Sequence, residues 1–377
     1  MSASTPGFIE PAYHQHSLSD VVPAVASALG VESLIRDLGG SSLRLPDAAA
    51  YVVFLVDGLG AELLSRFRHA APFLSSLVST PGTCGVPSTT ATSLTSLGTG
   101  LTPGQHGLVG FTSRIPGTET LLNHLLWDRS VDPLEWQPHQ TAFGLLAGEG
   151  VRVTTVNKRE FAGTGLTVAS ARGAEFVGAD KVGERIAAVL AATRGGPSLT
   201  YLYDGDLDWT GHKHGVASTA WLQQLAMIDA EAEQLREALP SSVRLVVVAD
   251  HGMVDSPMAA RIDVDERLEL RDGVSLVGGE ARFRHLYCRR GATDEVAQTW
   301  REVLGDRATV LTREQAGARG WFGPIDAAVS LRIGDVIVAC HGDSAVMSTR
   351  DFPYENTLVG LHGSLTPDEM LIPILIA

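Results

Sequence analysis

The sequence predicts an α/β fold, with a mostly parallel central sheet sandwiched by helices and a small α+β insertion. Three observations carry that expectation: short β-branched runs recur along the chain, Ala/Leu-rich stretches lie between them, and the texture changes between about residues 262 and 322. A length of 377 residues is enough for about two domains, or for one large α/β domain with an insertion. With 44% hydrophobic and 19% charged residues, 40 Gly and 18 Pro, the composition is globular and excludes disorder, collagen-like repeats and a coiled coil.

Taken in order, the runs Tyr51 to Val56, Val151 to Val156, Leu199 to Tyr203 and Val243 to Ala249 are continuously apolar rather than alternating. That is the pattern of parallel strands covered on both faces. Ala61 to Phe67, Ala179 to Thr193 and Thr219 to Leu239 read as helices between them, and strand–helix alternation implies layers of helix on both sides of a sheet. From Ile262 to Phe322, charged short strands (VSLVGGEARFRHLYC) precede a helical pattern over Thr293 to Leu304 and a strand at Ala308 to Leu311. Asp335 to Ala339 and Leu371 to Ile376 then return to the buried style. Residues 1–261 and 323–377 are therefore expected to form one catalytic core, interrupted by a cap over 262–322. No repeat is visible, and the stretch from Ser88 to Thr99 is the one low-complexity patch.

Lys and Arg number 29 against 43 Asp and Glu, a net charge of −14, which argues against a nucleic acid polymer or an anionic membrane as partner. The three cysteines have no CxxC spacing, so neither a disulfide framework nor a thiolate metal site is expected. The amino-terminal segment MSASTPGFIEPAYHQHSL lacks a basic and then apolar leader pattern. No run approaches the roughly 18 apolar residues of a membrane helix, and the expected location is cytoplasmic. Oligomeric state is not legible.

Metal-type side chains gather where predicted strands give way to loops, the edge at which open α/β sheets bind their ligands. FLVDGLG places Asp57 there, and LVVVADHGM places the adjacent pair Asp250 and His251. YLYDGDLDWTGHKHG supplies Asp208 and His212, whose i, i+4 spacing puts both on one face of a helical turn, and LVGLHGS supplies His362. Singly, an Asp at a strand end is an ordinary turn or cap residue and a lone His an ordinary structural one. Jointly they suggest a metal centre. The segment VPSTTATSLTSLGTGLTPGQHGLVGF reads as a capped helix and equally as a hydroxyl nucleophile at a helix N-terminus, where free N–H groups favour a phosphate.

The ordered set VDGLG, PSTTATSLTSLGTGLTPGQHG, DWTGH, ADHGM and LHG resembles the alkaline phosphatase superfamily. The likeness is specifically to its nucleotide pyrophosphatase/phosphodiesterase branch with the related phosphonoacetate hydrolases, and it spans residue 50 or so to the end. In that family the nucleophilic Thr lies nine positions before the Thr of a Thr-Gly pair, here Thr99-Gly100, which points to Thr90, with Thr89 and Thr92 as alternatives. The resemblance implies one metal ion held by Asp57, Asp250, His251 and Thr90, and a second held by Asp208, His212 and His362. His214 is expected to be a solvent-facing neighbour. A Thr hydroxyl is a poor nucleophile and no His stands in its motif to act as base, so a metal must activate it. The His/Asp donors without thiolate suit two divalent ions, Zn²⁺ best. The implied reaction is attack of Thr90 on a small-molecule phosphate ester through a phospho-threonine intermediate.

Two departures bear on the substrate. Where nucleotide pyrophosphatases carry an Asn against a phosphoryl oxygen, HGLVGFTSR has Phe111; where the phosphonate branch has lysines, VNKREFAGTG offers Lys158 after Asn157. No Arg adjoins Thr90, and only Arg114 and Lys158 stand as candidate cations, so the reading is a phosphodiesterase. A phosphonate (C–P) hydrolase, a phosphomonoesterase, a mutase phosphorylated on Thr90 and a zinc-stabilised binding protein are the alternatives. The cap is expected to cover the site, and His14, His16, His69, His106, His124, His139, His285 and His341 receive no role.

Overall fold

Seven strands form the central sheet of the computed structural model, which describes residues 7–31 and 40–377. Residues 1–6 of the amino-terminal segment read above for a leader lie outside the described residues. In chain order the elements that position the site are β1 (Ala50–Val56), α1 (Ala61–Arg66), β2 (Val78–Thr83), α2 (Thr90–Thr99), β3 (Arg152–Asn157), β4 (Glu175–Gly178), α3 (Val182–Ala192), β5 (Ser198–Asp204), α4 (Asp206–His214), α5 (Thr219–Ala238), β6 (Val243–Val248), β7 (Val274–Glu280), β8 (Phe283–Cys288), α6 (Thr293–Leu304), β9 (Ala308–Thr312), β10 (Val336–Cys340) and β11 (Leu371–Ile376).

The sheet order is β2-β11-β6-β1-β5-β3-β4. β1 sits in the middle, buried along its whole length and parallel to β5 on one side and β6 on the other. Its continuous run of Tyr, Val, Phe and Leu is what a strand covered on both faces needs, since every residue finds an apolar partner whichever way it points. Val56 lies opposite Asp204 and Leu55 opposite Val248, so β1, β5 and β6 end side by side. Whatever follows these strands emerges at one sheet edge, which builds the site. β11 joins this sheet antiparallel to both β6 and β2.

A second, antiparallel sheet has the order β7-β8-β10-β9. This corrects one expectation: the run Asp335 to Ala339 does not rejoin the core sheet but supplies β10, which pairs with β8 and β9. The smaller unit therefore extends past residue 322. The reason lies in the side chains of β10. Val336, Val338 and Cys340 pack into a separate core with Trp300 of α6, while Ile337 and Ala339 pack into the main core. A strand wedged between two cores is apolar on both faces and reads like a central parallel strand. Among the described residues no helix is long and apolar enough to cross a membrane.

Candidate active site

Three loops at the shared edge of β1, β5 and β6 bring the predicted metal ligands together. Asp57 follows β1 directly, and Gly58 after it has φ +75° with the backbone of Asp208 so close that an added Cβ would lie 3.1 Å from its Cα. Only Gly combines that conformation with that approach. α4 carries Asp208 and His212 one turn apart, with His212 Nε2 3.2 Å from Asp208 Oδ2. The loop after β6 carries Asp250 and His251. His362 arrives from the chain beyond Leu361, its Nε2 3.2 Å from that of His212 and its ring stacked 3.8 Å from that of His251.

Thr90 is the first residue of α2, and its Oγ1 lies 3.3 Å from His251 Nε2 and 3.4 Å from Asp57 Oδ2. Of the other two hydroxyls, Thr92 is turned away onto the Leu108 carbonyl at 2.9 Å, and Thr89 bonds the carboxyl of Glu280. Thr90 thus faces the ligand cluster. The sequence offered no histidine beside it; the fold brings His251 there from β6.

Two features test whether these residues fit metal ions. First, each of the three histidines gives its Nδ1 to a carbonyl: His212 to Gly360 at 2.7 Å, His251 to Gly252 at 2.9 Å and His362 to Ser88 at 2.9 Å. A carbonyl only accepts, so Nδ1 carries the proton and each Nε2 presents a lone pair to the site, the tautomer a metal ligand requires. Two such lone pairs 3.2 Å apart, on His212 and His362, repel unless a cation lies between them. Second, the buried oxygens Asp57 Oδ1, Asp208 Oδ1 and Asp250 Oδ2 have no hydrogen-bond partner. Asp57, Asp250 and His251 place ligand atoms within 4.8 Å of one another, and so do Asp208, His251 and His362. The chemistry and spacing fit divalent ions, with His251 facing both groups.

The electrostatics tell the same story. Burial pushes the Asp57 acid well up, aided by the charges of Asp250 and Asp208, and burial likewise raises Asp250. Burial drives His362 well down, helped by His251. Asp208 is held low because the imidazoles, His212 foremost, outweigh its burial. Asp57 and Asp250 are buried side by side, which leaves two like charges close together in a site shielded from water.

Two cavities open on the cluster and share Thr90, Leu125 and Asp208. The inner one, about 190 Å³, runs toward Leu94, Phe161, Phe176, Tyr201 and Tyr203. The outer one, about 260 Å³, is bounded by His212, His362, Phe111, Trp209, Glu280 and Tyr354. Phe111 therefore lines the outer cavity. Lys158 does not line either cavity: its Nζ lies 2.6 Å from Asp206 Oδ1 at the start of α4, and its neighbour Asn157 lines the inner cavity instead. Arg114 lies over the Tyr287 ring, 4.7 Å from its centroid. His214 is exposed. His106, His124 and His285 are buried with hydrogen bonds to Ser96, Gly110 and Val109.

Sequence reasoning missed Tyr203 and Glu280. The Tyr203 hydroxyl donates to Asp57 Oδ2 at 2.5 Å, fixing that carboxylate from behind. Tyr201 and Tyr203 share a face of β5 by the two-residue period, a signal that the strand pattern contained. Glu280 is buried at the end of β7, where its carboxyl also meets the Phe111 amide. Nothing local in VGGEAR distinguishes it.

The type I phosphodiesterase/nucleotide pyrophosphatase family model matches residues 51–365. No curated protein matches the chain in sequence. Among solved structures, murine ectonucleotide pyrophosphatase/phosphodiesterase 5 superposes with a TM-score of 0.67 at 16% identity, covering 86% of this chain and 87% of that one. An inactive variant of the murine protein, in complex with AMP, superposes equally well, with a TM-score of 0.67, 16% identity and 87% coverage of each chain. Phosphonoacetate hydrolase from Sinorhizobium meliloti 1021, in complex with phosphonoacetate, gives a TM-score of 0.66 at 17% identity over 89% and 91% of the two chains. These likenesses establish the alkaline phosphatase-like fold, and the match over residues 51–365 establishes kinship: the chain belongs to the type I phosphodiesterase/nucleotide pyrophosphatase family, within the alkaline phosphatase superfamily.

Proposed function

We propose that this chain is a two-metal phosphodiesterase that cleaves a small-molecule phosphate ester through a phospho-threonine on Thr90. The observation that carries the reading is the gathering around Thr90 of three carboxylates, each with a buried oxygen lacking a hydrogen-bond partner, and three imidazoles whose Nδ1 atoms are held by carbonyls so that Nε2 faces the site. Asp57, Asp250, His251 and Thr90 would hold one ion, and Asp208, His212 and His362 the other. Bound divalent ions, Zn²⁺ by preference, would supply the positive charge that acidifies a hydroxyl and stabilises anionic oxygens at phosphorus.

The rest of the work falls to the chain. Thr90 at the first position of α2 aims its oxygen at phosphorus, with the N–H groups of that helix turn directed to the phosphoryl oxygens. Tyr203 orients Asp57, and the backbone carbonyls of Gly252, Gly360 and Ser88 hold the three imidazoles in one tautomer. As the Thr90 oxygen bonds to phosphorus, the P–O bond on the far side breaks and the alcohol leaves with its electron pair and takes up a proton; water would then attack phosphorus from that side, giving the phosphate product and returning the Thr90 hydroxyl. No lysine or arginine lines either cavity among the described residues, so the site suits a diester monoanion better than a monoester or phosphonate dianion. The pairing of Lys158 with Asp206 supports the same choice. The smaller sheet, through Glu280 of β7, forms one side of the outer cavity and would act as a cap over the site.

Initial rates on bis(p-nitrophenyl) phosphate and p-nitrophenyl phosphate, with zinc-loaded protein, test this. The expected result is a preference for the diester that disappears with chelator and with Thr90→Ala. Preference for the monoester, or turnover untouched by Thr90→Ala, overturns it.

A further inference from the structure

His362 is held differently from the other members of the cluster. Asp57, Asp250 and His251 follow strands of the central sheet, and Asp208 and His212 lie on α4. His362 follows only the two-residue strand Gly360–Leu361, which pairs with Val254–Asp255 outside that sheet, and it stands in neither helix nor strand itself. No long ladder fixes its backbone, so its place depends on individual hydrogen bonds.

Ser88, two residues ahead of Thr90, supplies those bonds. Its carbonyl accepts from His362 Nδ1 at 2.9 Å, and its amide donates to the Gly363 carbonyl at 3.1 Å. Its hydroxyl donates to the Ser364 carbonyl at 2.6 Å and accepts from the Gly363 amide at 3.1 Å. One residue thus grips three consecutive ones. Ser88 and Ser364 are fully buried, so no water can replace these partners. The far side of the turn is anchored elsewhere: the Ser364 hydroxyl donates to the Cys340 carbonyl at 2.6 Å and its amide to Glu369 Oε1 at 2.9 Å, and Glu369 is ion-paired with Arg282. The Ser88 hydroxyl is therefore the side-chain link between the loop that carries Thr90 and a turn bolted to the smaller sheet. An alanine there would keep the two backbone bonds but leave the Gly363 amide and the Ser364 carbonyl without their partner.

We propose that Ser88 is a positioning residue for one of the two metal sites: its hydroxyl locks the 362–364 turn against the Thr90 loop, so that the Ser88 carbonyl holds the His362 ring with Nε2 turned toward His212 and Asp208. Those two partners lie 3.2 Å and 3.8 Å from His362 Nε2. Loss of the hydroxyl lets the imidazole drift from them, which weakens the site of Asp208, His212 and His362 and spares that of Asp57, Asp250 and His251. The inference rests on the two-metal reading above. A hydroxyl that served packing alone would change the stability of the fold and leave the two metal affinities in their original ratio.

The test is titration of the metal-free chain with Zn²⁺ in competition with a chromogenic chelator, which reads affinity and stoichiometry without turnover. The expected result for Ser88→Ala is one ion bound about 10- to 100-fold more weakly than in the wild type and the other bound as before. His362→Ala should weaken the same ion, and adding Ser88→Ala to it should change nothing further, because the hydroxyl acts through that ring. Ser88→Cys keeps the shape with a weaker donor; it should shift the same ion by less, and it keeps the test open if the alanine variant does not fold. Wild-type affinities for both ions in whichever of these variants folds overturn the proposal. So does an equal loss at both ions, or the same loss when His362 is already absent. These results leave the two-metal reading standing, whereas a wild-type chain that binds fewer than two ions overturns that reading and the proposal with it.

Discussion

Removing metal from this protein should lower its melting temperature, and removing one buried carboxylate should change stability with opposite signs in zinc and in chelator. Asp250 is the informative position. Its Oδ1 accepts from the amides of Gly58 and His251, each at 3.0 Å, while its buried Oδ2 has no partner. An Asn can keep the accepting oxygen and put its amide where the unpaired oxygen was, so Asp250→Asn deletes a charge with little change of shape. For an ion present at about a thousand times its Kd, linkage stabilises the native state by ~4 kcal/mol. At ~2.1 cal/mol/K per residue, a chain of 377 residues has an unfolding entropy of ~800 cal/mol/K, so chelation should lower Tm by about 5 °C. Without metal, Asp250 stands beside Asp57 with burial raising both, and relieving that repulsion should make Asp250→Asn melt at or above the wild type in chelator. With zinc present the variant should melt below it. Differential scanning calorimetry of both proteins with zinc and with EDTA reads all four values. A wild-type Tm indifferent to EDTA, or a variant destabilised equally in both conditions, would refute the reasoning.

Three further outcomes follow from the same structure. Tyr203→Phe removes the 2.5 Å hydrogen bond to Asp57 and should weaken zinc binding or kcat by about 10- to 100-fold, read by competition with a chromogenic chelator and by steady-state rates. Gly98→Ala places a Cβ 1.8 Å from the Ser170 carbonyl oxygen on the helix packed against α2; it should cost about 1–3 kcal/mol or more in urea unfolding, and an unchanged midpoint would contradict that close packing. His106, His124 and His285 are kept neutral by burial, with pKa values pushed down to about 3, about 4 and about 4 from 6.5. The unfolded chain takes up these protons first, so the stability they contribute is whole above pH 6.5 and is lost as pH falls from there toward 4. Each accounts for ~3 kcal/mol at the bottom of that window, and urea midpoints at pH 7.5 and 5 should differ accordingly.

The strands were legible because burial on both faces leaves a continuous apolar run, and β1, β3, β5 and β6 lie within a residue or two of where the sequence put them. The same rule misplaced β10, whose two faces serve two cores. Asp57, Asp208, His212, Asp250, His251 and His362 were legible because each sits in a short motif at a strand or turn boundary, and the fold brings all six to Thr90. Partnerships were not. That Lys158 pairs with Asp206, that Tyr203 holds Asp57 and that Glu280 reaches Thr89 are contacts between segments far apart in the chain, set by sheet order rather than local pattern.

The central claim is that Thr90 takes the phosphoryl group within a two-metal site. Its most direct test is rapid acid quench of zinc-loaded protein turning over bis(p-nitrophenyl) phosphate, followed by peptide mass spectrometry. The predicted result is a p-nitrophenyl phosphoryl group on Thr90, absent in EDTA and absent from Thr90→Ala. Full turnover with Thr90 unmodified in every quenched sample, or an adduct carried by another residue, would contradict it.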